Sequence, residues 1–124
     1  MDYRTGPWCL AICATLTACT SDPPATWSYI YPATIAPSCA TATCHSQLAA
    51  RAGVELDDID RAYALLVDGR NDVDGPFVFP GDPAGSPLVW LLDGDERTRM
   101  PPAAPLAAVE RDAIVAWIVA GAPQ

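Results

Sequence analysis

The chain has 124 residues, 51% of them hydrophobic and 13 of them Pro, with a formal net charge of −8. This composition excludes a disordered chain and allows one domain with a modest core. An acidic chain whose seven basic residues are all Arg is ill suited to nucleic acid or to electrostatic binding of anionic lipid, whereas it permits a basic protein partner. So small a core with so much Pro calls for something extra to hold the fold, such as a disulfide, a metal or a cofactor.

At the N-terminus, Met1-Asp2-Tyr3-Arg4 precedes an apolar run from Pro7 to Ala18. The run is shorter than the roughly 20 residues a membrane-spanning helix needs, and it suits the apolar part of a secretory signal. It closes on Leu16-Thr17-Ala18-Cys19, which resembles the lipobox of bacterial lipoproteins, and a polar, Pro-rich tether follows from Thr20 to Pro24. The resemblance implies cleavage before Cys19, acylation of Cys19, and an exported, periplasm-facing domain anchored to the lipid bilayer. Thr20, standing where an Asp could, favours the outer membrane over the inner. The expected boundaries are residues 1–18 for the signal, 19–26 for the tether and 27–124 for the domain. Cys9 and Cys13 then leave with the signal, and Cys39 and Cys44 remain as the only thiols in an oxidising compartment. The competing reading is a buried N-terminal helix with Cys19 free.

From Trp27 to Pro37 the sequence is mixed and apolar, with Thr26 as a possible N-cap and with Pro32 and Pro37 restricting helix to short pieces. A short helix is expected from about Thr43, carrying Cys44, His45 and Leu48 to Ala50 or Arg51 and broken by Gly53. Next, Asp57 or Asp58 can cap a helix in which Ile59, Ala62, Tyr63, Leu66 and Val67 fall at helical spacing, stopped by Gly69. A loop from Arg70 to Pro80 follows. Within it Asp72-Val73-Asp74-Gly75 hints at an EF-hand loop, but Gly81 would stand where that loop needs a bidentate Glu, so it reads as a solvated turn. Asp82 as N-cap and Pro83 at the first helical position predict a helix carrying Leu88, Trp90, Leu91 and Leu92 to Asp93-Gly94. The last helix spans about Ala107 to Ala120, with Leu106, Val109, Ala113, Ile114, Trp117 and Ile118 as its stripe and Gly121 as its end. No alternating strand pattern is present. The fold class is all-α, four or five short helices joined by long Pro-rich loops, and long ordered loops tend to wrap something.

The chemistry-bearing residues are few. His45 is the only histidine, Met100 is the only methionine besides Met1, and Cys39 and Cys44 lie just before His45. Pro37-Ser38-Cys39 through Cys44-His45-Ser46, Met100-Pro101-Pro102, and Glu110 with Ile114, Trp117-Ile118 and Gly121-Ala122 resemble the haem-attachment segment, distal Met loop and closing helix of class I c-type cytochromes. The form is that of small exported bacterial domains, in which Pro80-Gly81-Asp82-Pro83 and Ser86 also recur. The resemblance covers about Trp27 to Ala122. It implies a cytochrome c-like fold around one covalently attached haem c, with Cys39 and Cys44 forming thioethers, His45 as proximal iron ligand and Met100 as distal ligand. The domain would pass single electrons to a redox protein partner and would not be an enzyme. A thioether sulfur favours ferrous iron and raises the potential, and the prolines after Met100 stiffen its loop. Four residues separate the cysteines where most members have two, which needs a bulge that Ala40-Thr41-Ala42-Thr43 is small enough to make. Trp90, Tyr63, Phe77, Phe79, Ile35 and Trp117 are the expected haem wall.

Other readings remain open at this level. Cys39 and Cys44 could close a disulfide that staples a haem-free exported binding or structural module. Cys39, Cys44, His45 and Met100 could instead take copper or zinc. Haem without Met100 ligation would allow gas binding or weak peroxidase activity.

Overall fold

The computed structural model describes residues 21–69, 75–95 and 97–124. In its first apolar segment the two prolines are absorbed without ending the helix. Helix α1 (Trp27–Ile30) runs into a π-helical turn (Tyr31–Ile35) and then into α2 (Ala36–Ser38). Pro32 lies at the start of the π turn, and the Ala36 N–H reaches back five residues to the Tyr31 carbonyl. Such a widened turn tolerates a residue with no N–H to donate. Thr26 has the extended dihedrals of an N-cap, but its side chain makes no capping bond.

The helix expected from Thr43 does not form; residues 42–49 are a succession of turns. Side chains compete here for the backbone groups a helix would use. Ser46 Oγ donates to the Ala42 carbonyl and accepts from the Ala49 N–H, while the Gln47 N–H donates to Asp57 Oδ2. Ala50, Ala52 and Gly53 all have positive φ, which no right-handed helix accommodates, and only a 3-10 turn forms over Arg51–Gly53. Leu48, expected on a helix face, is 93% exposed.

Helix α3 (Ile59–Leu66) forms where expected, with Ala62, Tyr63, Leu66 and Val67 against the core, but Leu65 is also buried and Ile59 is exposed. Of the two caps offered, Asp58 is the one used. Asp58 Oδ1 accepts from the Arg61 N–H at 2.8 Å, and Gly69, at φ +66, follows its end. Helix α4 (Pro87–Leu92) starts one Ser-Pro pair later than expected, with Ser86 as N-cap and Pro87 at its start. Asp82 builds a turn instead, accepting from the Gly85 N–H through Oδ1 and from Ser86 Oγ through its carbonyl. Helix α5 (Ala108–Val119) has half a capping box: Glu110 Oε2 accepts from the Ala107 N–H, and Ala107 has no side-chain acceptor to reciprocate. Ala113, Ile114, Trp117 and Ile118 form its buried stripe, and Val109, expected there, is exposed.

The fold is all-α, and no strand occurs among the described residues. The aromatic centre joins the first and last helices described. Trp27 packs on Trp117 with ring centroids 5.2 Å apart, and Tyr63 meets both rings. The Pro123 carbonyl accepts from the Trp27 N–H at 3.0 Å and from Trp117 Nε1 at 2.8 Å. Arg111 on α5 pairs through its fork with Asp93 at the end of α4, which holds that carboxyl below its usual range. No described helix is long and apolar enough to cross a membrane. The expected signal, Cys19, and Arg70 to Asp74 of the long loop lie outside the described residues; residues 21–25 of the tether carry no regular element. Ile114→Ala, at a fully buried site, should cost about 2–5 kcal/mol in urea unfolding, and Leu48→Ser should stay within about 0.5 kcal/mol.

Candidate functional site

The turns after α2 bring the cysteine and histidine side chains to one wall of a cleft. Cys39 caps α2, its N–H bonded to the Ile35 carbonyl at 2.9 Å. The Cys44 N–H donates to the Thr41 carbonyl at 3.0 Å, and the His45 N–H returns to the Cys39 carbonyl at 3.2 Å. The four-residue stretch between the cysteines is thus a closed bulge, with the backbone of Cys39 and His45 pinned across its base. Met100 arrives from the other direction, its N–H on the Leu91 carbonyl of α4 at 2.8 Å, and the following Met100–Pro101 peptide bond is cis.

Two cavities, of about 300 and 160 Å³, share Cys39, His45, Ala52 and Met100 in their linings. The smaller also touches Cys44, Arg51, Pro101 and Pro102. The larger is walled by Val54, Leu56, Leu66, Phe77, Leu88 and Leu92, with Leu91 beside them. Backbone bonds hold these walls together: the Phe77 and Val78 N–H groups both donate to the Leu66 carbonyl, and the Leu88 N–H donates to the Phe77 carbonyl. Of the six side chains expected as haem wall, only Phe77 lines the cleft. Trp117, Tyr63 and Ile35 belong to the aromatic and aliphatic core, and Trp90 and Phe79 are exposed. Each fell at an apolar position, but pattern alone does not say which side of a small core it faces. Val54 and Leu56 were missed, although Val54-Glu55-Leu56 alternates apolar and acidic residues as a half-buried extended segment would.

The donor set fits a haem. His45 Nδ1 lies 3.2 Å from the Val54 carbonyl, which makes Nδ1 the protonated nitrogen and leaves Nε2 free to ligate. Among the described residues, no three His, Cys, Asp or Glu side chains group closely enough to hold a metal ion, so the copper or zinc reading finds no ligand set. Cys39 and Cys44 are both free thiols, not bridged to each other. Their settings differ. Burial foremost, with Cys44 and Glu110 adding to it, pushes Cys39 up to about 11. Hydrogen bonds from Thr41 and Thr43 pull Cys44 down, helped by Arg51. Since the thiolate is the nucleophile, iodoacetamide at mildly alkaline pH should label Cys44 of the haem-free chain well before Cys39, read by peptide mass mapping. Cys39 should become comparably reactive only as pH approaches 11.

Residues 42–104, just over half of the chain, match the family model described as Planctomycete cytochrome C. No curated protein and no solved structure matches the chain. The match encloses Cys44, His45 and Met100, the apolar cavity walls, and the loop that carries Met100; Cys39 stands just ahead of it. An all-α frame around an apolar cleft, lined by the chain's only histidine and its only methionine besides Met1, is what such a domain needs to hold haem, and the chain belongs to the planctomycete cytochrome c family.

Proposed function

We propose that the chain is an exported, periplasm-facing cytochrome with one covalently attached haem c, passing single electrons between protein partners. In this reading Cys39 and Cys44 form the thioethers, His45 is the proximal ligand and Met100 the distal one. The observation that carries it is the shared cleft: all four side chains line one or both of two cavities that have Cys39, His45 and Met100 in common. Haem bound there supplies a one-electron couple. The chain's own residues do the rest. His45 presents Nε2 while the Val54 carbonyl holds Nδ1. The Met100 thioether favours the reduced state, and Val54, Leu56, Leu66 and Phe77 exclude water, which also sets the potential. With His45 and Met100 both ligating the iron, no site would stay open for a substrate, which would make the chain a carrier and not an enzyme.

The remaining parts of the reading rest on sequence. Leu16-Thr17-Ala18-Cys19 supports a signal over residues 1–18, acylation of Cys19 and a tether over 19–26 ahead of the domain at 27–124, with the outer membrane favoured by Thr20. A net charge of −8 without Lys favours a basic redox partner and disfavours nucleic acid.

The test is a pyridine haemochrome spectrum after acid-acetone extraction, on protein co-expressed with a cytochrome c maturation system. Haem should stay with the protein, with the band position of two thioethers. Colourless protein with Cys39 and Cys44 joined in a disulfide would replace this reading with the stapled, haem-free module. Met100→Ala should keep the haem, lower the midpoint potential and let carbon monoxide bind the reduced protein, read by potentiometry and absorbance.

A further inference from the structure

One short extended segment, Val54 to Leu56, holds His45 twice. His45 Nδ1 lies 3.2 Å from the Val54 carbonyl, and the Leu56 N–H donates to the His45 carbonyl at 2.7 Å. Val54 and Leu56 are themselves buried and line the larger cavity, so the segment is both a wall of the cleft and the support of its histidine. Its near end is tied locally, the Val54 N–H donating to the Arg51 carbonyl at 3.2 Å. Its far end is tied across the fold: Tyr31 donates its hydroxyl to the Leu56 carbonyl at 3.0 Å.

Tyr31 is placed for this by the π turn it opens and by its ring, which packs on Trp27 at a centroid distance of 5.4 Å. Packing alone does not call for a hydroxyl, since Phe would present the same ring. Burial, reinforced by the nearby Asp58 and Asp57 carboxylates, raises the pKa of Tyr31, so its hydroxyl stays protonated and remains a donor across the physiological range. A π turn within a helix often marks a functional position, and here it turns an aromatic residue of the first helical stretch toward the support of His45.

We propose that Tyr31 is a positioning residue for His45: its hydroxyl, through the Leu56 carbonyl, holds the Val54–Leu56 segment and so keeps the Val54 carbonyl on Nδ1. A held Nδ1–H raises the basicity of the ligating nitrogen. Loosening the segment makes His45 a weaker donor to oxidised iron and raises the potential. The redox consequence rests on the electron-carrier reading above, whereas the consequence for the imidazole itself does not.

Tyr31→Phe tests this in the full chain, with Tyr63→Phe beside it. Tyr63 belongs to the same aromatic cluster and loses an equivalent bond, its hydroxyl donating at 2.8 Å to the Ala122 carbonyl and not to the Val54–Leu56 segment. In the haem-free chain labelled with nitrogen-15 histidine, Tyr31→Phe should reduce the share of the Nδ1–H tautomer of His45 and speed hydrogen exchange at the Leu56 amide. Tyr63→Phe should lower the melting temperature and leave both signals at parent values. In the haem-loaded chain, Tyr31→Phe should raise the midpoint potential with haem content unchanged. Parent-like tautomer and Leu56 exchange in Tyr31→Phe would overturn the proposal, as would equal changes in both variants, which would mean general loosening. A chain that takes up no haem would count against the electron-carrier reading alone, because the haem-free measurements still decide the role of Tyr31.

Discussion

Trp27 against Trp117 is the contact on which the remaining structure depends. It joins α1 to α5, the first and last helices described, and both rings are almost entirely buried. Pairs of large aromatic rings carry much of a small core's stabilisation, with geometric preferences beyond area alone. The Pro123 carbonyl closes the same junction by accepting from both residues, the backbone of one and the indole of the other. Everything between, from the cysteines through α3 and α4 to the Met100 loop, is therefore one long excursion anchored at both ends.

That arrangement leaves the core one-sided. Ile30, Ile114 and Ile118 fill the space around the tryptophans, while Leu66 and Leu92, also buried, line a cavity of about 300 Å³. Protein interiors close-pack with few voids larger than a water molecule, and apolar clefts of this order with a few convergent polar groups are the usual form of a ligand site. A chain with 13 prolines and short helices completes such a core more readily with a planar apolar cofactor than with its own side chains. The family to which the chain belongs, planctomycete cytochrome c, accounts for the cleft in those terms.

The wall that carries the cysteines and His45 is built from turns, and its order comes from bonds that span it. His45 returns to Cys39, Arg51 donates its N–H to the Cys44 carbonyl and its Nε to the Thr43 carbonyl, and Gln47 reaches Asp57. The four-residue separation of the cysteines is absorbed in this way: Ala42 and Thr43 bulge outward, exposed, while Cys39 and His45 remain joined at the base. Both residues are half-buried, but the Cys39 thiol is pushed up by burial and the Cys44 thiol is pulled down by neighbouring hydroxyls, so two cysteines in one motif differ in chemistry.

Scarce residue types could be singled out directly, His45 being the only histidine and Met100 the only methionine besides Met1. His45 and Met100 stood out as candidates on that ground, and the amphipathic period of α3 and α5 marks those helices because a buried face repeats along them. Asp58 was legible as a cap for the same local reason, whereas Asp82-Pro83 and Ser86-Pro87 carry the same start signal and only packing chooses the second. The helix expected through Cys44 and His45 yielded to side-chain bonds and positive φ angles that no periodicity records. The supports of His45 were hidden for a simpler reason. They are the backbone carbonyls of Val54 and Leu56 and the hydroxyl of Tyr31, 25 residues before Leu56, and since nearly every residue offers a carbonyl, which one accepts is settled by distance in the folded chain.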